Sequence, residues 1–200
     1  LGPERKSRLL TPEEKKISAY HEAGHALVTA SLSHSDPVHK ISIVSRGRAA
    51  GYTLKMPTED RHLYSKSHFL DELASALGGY AAERLVFGEL TTGASDDLKK
   101  ATNLARSLVT RFGMSEKIGP MTLGEKEELV FLGRELTTER NYSEYTARLI
   151  DQEVKKMIDN AHKCAKEILV KRREKLEEIA KILIEKETIE REEFEELMKK

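Results

Sequence analysis

The sequence has no tryptophan, a single cysteine (Cys164), one glutamine (Gln152) and three asparagines (Asn103, Asn141 and Asn160). One cysteine excludes an internal disulfide. Cys164 stands beside Ala161, Ala165 and Ile168 in a helical pattern, so an inert core thiol in a reducing compartment is expected. No run of about 18 or more apolar residues occurs, and neither a membrane-spanning helix nor a signal peptide is expected within this sequence. Net charge is also missing, because 34 Lys and Arg balance 34 Asp and Glu. That excludes the one-signed field of a nucleic-acid surface, and nothing in the chain reads as a base-recognition motif.

What remains is enough for one domain with a real core: 200 residues, of which 38% are hydrophobic. Charged residues make up 34% of the chain, against about 25% in typical proteins. Together with the scarcity of amide side chains, this bias leads us to expect a thermophilic source.

The most informative stretch is His21-Glu22-Ala23-Gly24-His25. It is the His-Glu-x-x-His pattern of zinc peptidases. On an α-helix residues i and i+4 share a face, so His21 and His25 can reach one metal ion while Glu22, rotated by about 100°, stands beside it as a base. The helix is well signalled, since Thr11-Pro12-Glu13-Glu14 reads as a capping box with proline at the first helical position. Ile17, Tyr20, Ala23, Gly24, Leu27, Val28 and Leu32 follow at helical spacing, which predicts an amphipathic, mostly buried segment.

Catalytic zinc takes three protein ligands and keeps a fourth position for water, so one more ligand is required. The metzincin extension would place glycine and histidine where Val28 and Ser31 stand, and is excluded. A thermolysin-like glutamate is not expected either, because the region after His25 reads as loop and β-hairpin with only Asp36 before Glu59. The better candidate lies in Thr91-Thr92-Gly93-Ala94-Ser95-Asp96-Asp97-Leu98, where a glycine-containing turn enters a helix. From spacing alone Asp96 and Asp97 are equivalent, and either could simply cap the helix. His34, His39, His62 and His68 are read as solvated or structural.

Elsewhere the pattern is mainly helical. Helices are predicted over 67–88, 96–112 and from Ser143 almost to the end, with turn residues near Lys186-Glu187-Thr188. Ile150, Val154, Met157, Ile158, Ala161, Ala165, Ile168 and Leu169 form one apolar stripe, and Leu176, Ile179, Ala180 and Leu183 another. Both are expected to be core. Ile41 and Ile43 alternate with Lys40 and Ser42, and Tyr52, Leu54 and Met56 with Thr53 and Lys55. With Arg46-Gly47-Arg48 as the turn, this predicts a β-hairpin whose edge could take an extended polypeptide by strand addition. The segment 113–138 is glycine-rich and irregular, with Val130-Phe131-Leu132 as a short apolar patch.

An ordered series of motifs resembles the peptidase domain of the FtsH family, membrane-anchored AAA-type ATP-dependent zinc metalloproteases. The resemblance covers nearly the whole chain. It is carried by Ala19-Tyr20-His21-Glu22-Ala23-Gly24-His25-Ala26, Arg46-Gly47-Arg48-Ala49, Gly51-Tyr52-Thr53-Leu54 and Gly78-Gly79-Tyr80-Ala81-Ala82-Glu83. It continues through Thr92 to Leu98, Ala101-Thr102-Asn103-Leu104-Ala105-Arg106 and Arg111-Phe112-Gly113-Met114-Ser115. The resemblance implies His21 and His25 as zinc ligands and Glu22 as the catalytic glutamate. The family's third ligand is the last aspartate of a Gly-Ala-Ser-Asn-Asp element, which matches Asp97; Asp96 stands where the family usually has asparagine.

The fold class expected is therefore mainly α, a helical zinc-peptidase domain with a small β-hairpin or sheet beside the active-site helix. Residues 1–10 are expected to be a linker from an absent ATPase module, and 11–200 the zinc metallopeptidase domain. One Zn2+ per chain is implied, with ATP used only by that absent module, since no Gly-x-x-x-x-Gly-Lys-Ser/Thr loop occurs here. The resemblance further implies a soluble fragment of a homo-hexamer on the cytoplasmic side of the inner membrane. Unfolded or membrane proteins would be its substrates, and the membrane would be reached only through absent N-terminal segments. Two other readings stand beside it: a non-catalytic helical assembly module with a structural zinc, and a free-standing zinc peptidase of short peptides.

Overall fold

The computed structural model describes residues 11–44, 51–57, 62–124 and 141–199. Helix α1 (Pro12–Ala30) begins with the expected capping box, in which the Thr11 hydroxyl accepts the Glu14 N–H and the Glu14 carboxylate accepts the Thr11 N–H. Its burial exceeds the expectation of an amphipathic stripe. Every residue from Ser18 to Thr29 is buried, because α1 runs through the middle of the domain with other helices on several sides.

Where one helix was predicted over 67–88 there are two, α2 (Lys66–Ala76) and α3 (Gly78–Phe87), broken at Leu77. The reason is a close crossing. A Cβ on Gly24 would lie 2.5 Å from the Gly78 carbonyl oxygen, and one on Gly78 would lie 2.7 Å from the Gly24 carbonyl oxygen. The break lets α3 lie backbone to backbone on α1. Glycine inside a helix costs about 1 kcal/mol relative to alanine, and here it makes that contact sterically possible.

Helix α4 (Ser95–Thr110) follows a 3-10 turn at Thr92–Ala94, and α5 (Glu144–Lys171) starts at Ser143, whose hydroxyl accepts the Thr146 N–H. The predicted stripes of α5 and α6 (Arg173–Lys186) are core: Ile150, Leu169, Leu176, Ile179 and Leu183 are among the largest fully buried side chains. Cys164 departs from its expected place, being only half-buried on α5.

The hairpin strands β1 (Val38–Ser42) and β2 (Tyr52–Lys55) pair antiparallel, with Ile41 opposite Thr53 and an irregularity between Val38 and Lys40. A third strand, β3 (Thr188–Glu190), lies on the other side of β1, so the order is β2-β1-β3. It occupies the stretch read as a turn. Glu187 ends α6 in the left-handed conformation, and Ile189 then pairs with Ile41, both fully buried. Helix α7 (Arg191–Lys199) completes the described chain. The architecture is mainly α with one small antiparallel sheet beside α1, as expected. The expected linker at 1–10, the Arg46-Gly47-Arg48 turn and the Val130-Phe131-Leu132 patch lie outside the described residues.

Candidate metal centre

Helix α1 carries His21 and His25 one turn apart, and α4 brings Asp97 to them from its first turn. The three donor atoms form a small triangle. His21 Nε2 lies 3.0 Å from His25 Nε2, and Asp97 Oδ2 lies 3.2 Å from each. Zinc bonds of about 2.05 Å in a tetrahedron require ligand atoms about 3.3 Å apart, so the triangle matches three corners of that figure to within a few tenths of an ångström. Among the described residues this is the one group of three such side chains whose ligand atoms converge.

Both rings are aimed by what holds their far nitrogens. His25 Nδ1 lies 2.8 Å from the Ser75 carbonyl oxygen on α2. A carbonyl can only accept, so Nδ1 carries the proton and the Nε2 lone pair faces the triangle. His21 Nδ1 lies 2.6 Å from Glu83 Oε1 on α3, which fixes its ring in the same sense. Glu83 is fully buried, and its second oxygen accepts the Thr91 N–H at 2.8 Å. One carboxylate thus ties His21 to the turn that delivers Asp97. In the sequence Glu83 stands only as the last residue of the Gly78-Gly79-Tyr80-Ala81-Ala82-Glu83 motif. A glutamate following Ala81 and Ala82 on an apolar helix face was the available signal.

The electrostatics suit a cation. Burial disfavours a charged His21, but the hydrogen bonds to Asp97 and Glu83 outweigh it and lift its pKa to about 10. Burial likewise works against a charged Asp97, yet the His21 and His25 rings hold its carboxyl well below the usual carboxylate range. Glu83 is lowered for the same reason, by His21 and by the Thr91 N–H against its burial. In the metal-free protein a proton on His21 is thus favoured between the two carboxylates, and a metal ion held there would displace it.

Of the two adjacent aspartates, Asp97 is partly buried in the triangle and Asp96 is exposed. Glu22, buried beside His21, is approached from the sheet: the Thr53 hydroxyl of β2 donates to Glu22 Oε2 at 2.8 Å. The other histidines stay apart from the triangle. His68 is buried and bonds through Nδ1 to the His34 carbonyl, and His34 itself lies on the surface beside Asp71. Tyr20, next to the motif, points its hydroxyl at Glu177 on α6; burial and that carboxylate push its pKa up to about 12.

Comparison with known proteins gives a consistent picture. The profile of Peptidase family M41 matches residues 8–197. ATP-dependent zinc metalloprotease FtsH 1 of Sphaerobacter thermophilus is 56% identical over 196 residues, covering 98% of this chain and 30% of its own length. ATP-dependent zinc metalloprotease FtsH of Thermotoga maritima is 53% identical over 194 residues, covering 96% of this chain and 32% of its own. The chain spans about a third of the length of the curated relatives it matches.

Proposed function

The chain belongs to peptidase family M41, and from that premise we propose that His21, His25 and Asp97 hold the zinc of this metallopeptidase domain and that Glu22 is its catalytic base. The observation that carries the assignment is the triangle of donor atoms at tetrahedral spacing, with both imidazoles fixed through their outer nitrogens. When bound, zinc polarises the scissile carbonyl and brings the pKa of water down to about 7. The chain's own residues do the rest. Glu22 takes the proton of the attacking water as the new C–O bond forms, and then gives it to the leaving amine nitrogen as the C–N bond breaks. Glu83 and the Ser75 carbonyl keep both rings oriented throughout.

Among the described residues strand β2 is at the edge of the sheet beside Glu22, and it supports a reading in which an extended substrate adds there as a further strand. Backbone pairing gives little sequence preference, which suits degradation of unfolded proteins. For the longer protein, the relatives' names and the share of their length matched here support an ATP-dependent protease. Its membrane anchor and AAA ATPase would lie in sequence outside these 200 residues, its peptidase domains would form a hexamer, and it would act at the cytoplasmic side of the membrane. No helix among the described residues is long and apolar enough to cross a membrane.

The test compares cleavage of an unstructured peptide by the zinc-loaded chain and by Glu22→Gln, with bound metal measured in both. Cleavage lost while zinc is kept is the expected result. Equal activity would remove Glu22 from the mechanism, and zinc without cleavage in either would favour a structural zinc module.

A further inference from the structure

The two oxygens of Glu22 are not equivalent. Oε2 accepts the Thr53 hydroxyl at 2.8 Å, and the same hydroxyl lies 3.3 Å from the Glu22 carbonyl oxygen. Oε1 accepts no hydrogen bond among the described residues, and it faces Gly51 so closely that a Cβ there would come within 2.8 Å of it. A glutamate side chain has three rotatable bonds, and nothing on α1 itself fixes this carboxylate. Among the described residues its hydrogen-bonded anchor is Thr53 on the strand.

That strand is itself held in place. Lys55, two residues on and so on the same face of β2 as Thr53, places Nζ 2.6 Å from both oxygens of Glu72 on α2 and 3.3 Å from the Ser75 hydroxyl. Ser75 is the residue whose carbonyl accepts from His25. One face of β2 therefore touches the neighbour of one histidine and the support of the other.

We propose that Thr53 is a positioning residue for the base: its hydroxyl holds Oε2, which turns Oε1 toward the attacking water and leaves it as the oxygen that takes the proton. This rests on Glu22 being the base. It adds that the hairpin edge, besides offering backbone to a substrate, sets the orientation of the catalytic carboxylate. A threonine is suited to this, since its methyl and hydroxyl fit a half-buried strand position and its χ1 is stiff.

The test uses the zinc-loaded chain with Thr53→Val, which keeps the β-branched shape without the hydroxyl, and Thr53→Ser, which keeps the hydroxyl. For Thr53→Val the expected result is a fall in kcat of about tenfold on an unstructured peptide, with KM, zinc content and melting temperature close to the parent. Thr53→Ser should return kcat to within about threefold of the parent. Crystal structures of the zinc-loaded parent and Thr53→Val supply a readout independent of turnover, with the Glu22 carboxylate rotated in the variant alone. An unchanged carboxylate in Thr53→Val, or a parental kcat, would overturn the proposal. So would equal loss in both variants or loss of zinc, which would make Thr53 a strand residue only. Failure of Glu22→Gln to abolish cleavage would instead overturn the assignment of the base, a separate outcome.

Discussion

Gly79→Ala should weaken zinc binding by about 100-fold while leaving the helix that carries the change intact. Gly79 lies in the first turn of α3, and an ideal Cβ there would sit 2.5 Å from His21 Cε1, 2.5 Å from His21 Nε2 and 2.6 Å from His21 Cδ2. Ordinary carbon contacts begin near 3.5 Å, so ring and helix must separate by about 1 Å. The ring has little room to yield, being buried and held at Nδ1 by Glu83 at 2.6 Å. Zinc–ligand distances tolerate about 0.2 Å, and loss of a supporting contact typically weakens metal binding by about 10- to 100-fold. A displacement of His21, a ligand in the proposed site, places Gly79→Ala at the upper end, on the order of 100-fold. Alanine favours a helix over glycine by about 1 kcal/mol, which offsets part of the roughly 1–3 kcal/mol of overpacking, so the melting temperature should move little. Competition with a chromophoric chelator measures the affinity, and thermal unfolding of the zinc-free protein separates it from stability. Parental zinc affinity in Gly79→Ala would refute the reasoning, because it would mean that the His21 ring is not confined between α3 and the metal position.

Three further outcomes are expected. Asp97→Ala should lose stoichiometric zinc on dialysis while Asp96→Ala keeps it, and metal analysis giving the reverse would move the third ligand by one residue. Ile189→Ala, at a fully buried position paired with Ile41, should lower unfolding stability by about 3 kcal/mol in denaturant titration. A loss below about 1 kcal/mol would mean that β3 contributes little to the sheet. Burial, with Asp71 and Glu167 nearby, pushes the Cys164 thiol up, so less of it is thiolate at any given pH. Its alkylation by iodoacetamide at pH 8 should be several-fold slower than that of a free cysteine and should increase with pH; a rate equal to the free thiol would contradict this.

The parts of the site legible in the sequence are those whose geometry is local. His21 and His25 share a face because four residues make about one helical turn, and Thr11 and Glu14 cap α1 through a pattern closed within one turn. The two hairpin strands were readable from alternation of side chains, and the stripes of α5 and α6 from helical periodicity. The break at Leu77 was not, since apolar spacing continues through it and the cause is the Gly24–Gly78 contact with a helix distant in sequence. Strand β3 escaped for a similar reason. Three residues are too few to show alternation, and they become a strand only because β1 offers its free edge.

The sequence by itself determined the mainly helical class, the hairpin, the His-Glu-x-x-His face and, through its resemblance, the family. The hairpin and the His-Glu-x-x-His face follow from spacings along the chain, whereas the family rests on the resemblance of whole motifs. Spacing leaves the two adjacent aspartates equivalent and the resemblance matches Asp97; the placement of α4 is what turns Asp97 rather than Asp96 toward the histidines, since neighbours on a helix diverge by about 100°. Tertiary structure also decided that Glu83 and the Ser75 carbonyl aim the two rings and that Thr53 holds Glu22. Those partners are 62, 50 and 31 residues away in sequence. No local pattern encodes such distances, which arise when α2, α3 and β2 bury their apolar faces against α1.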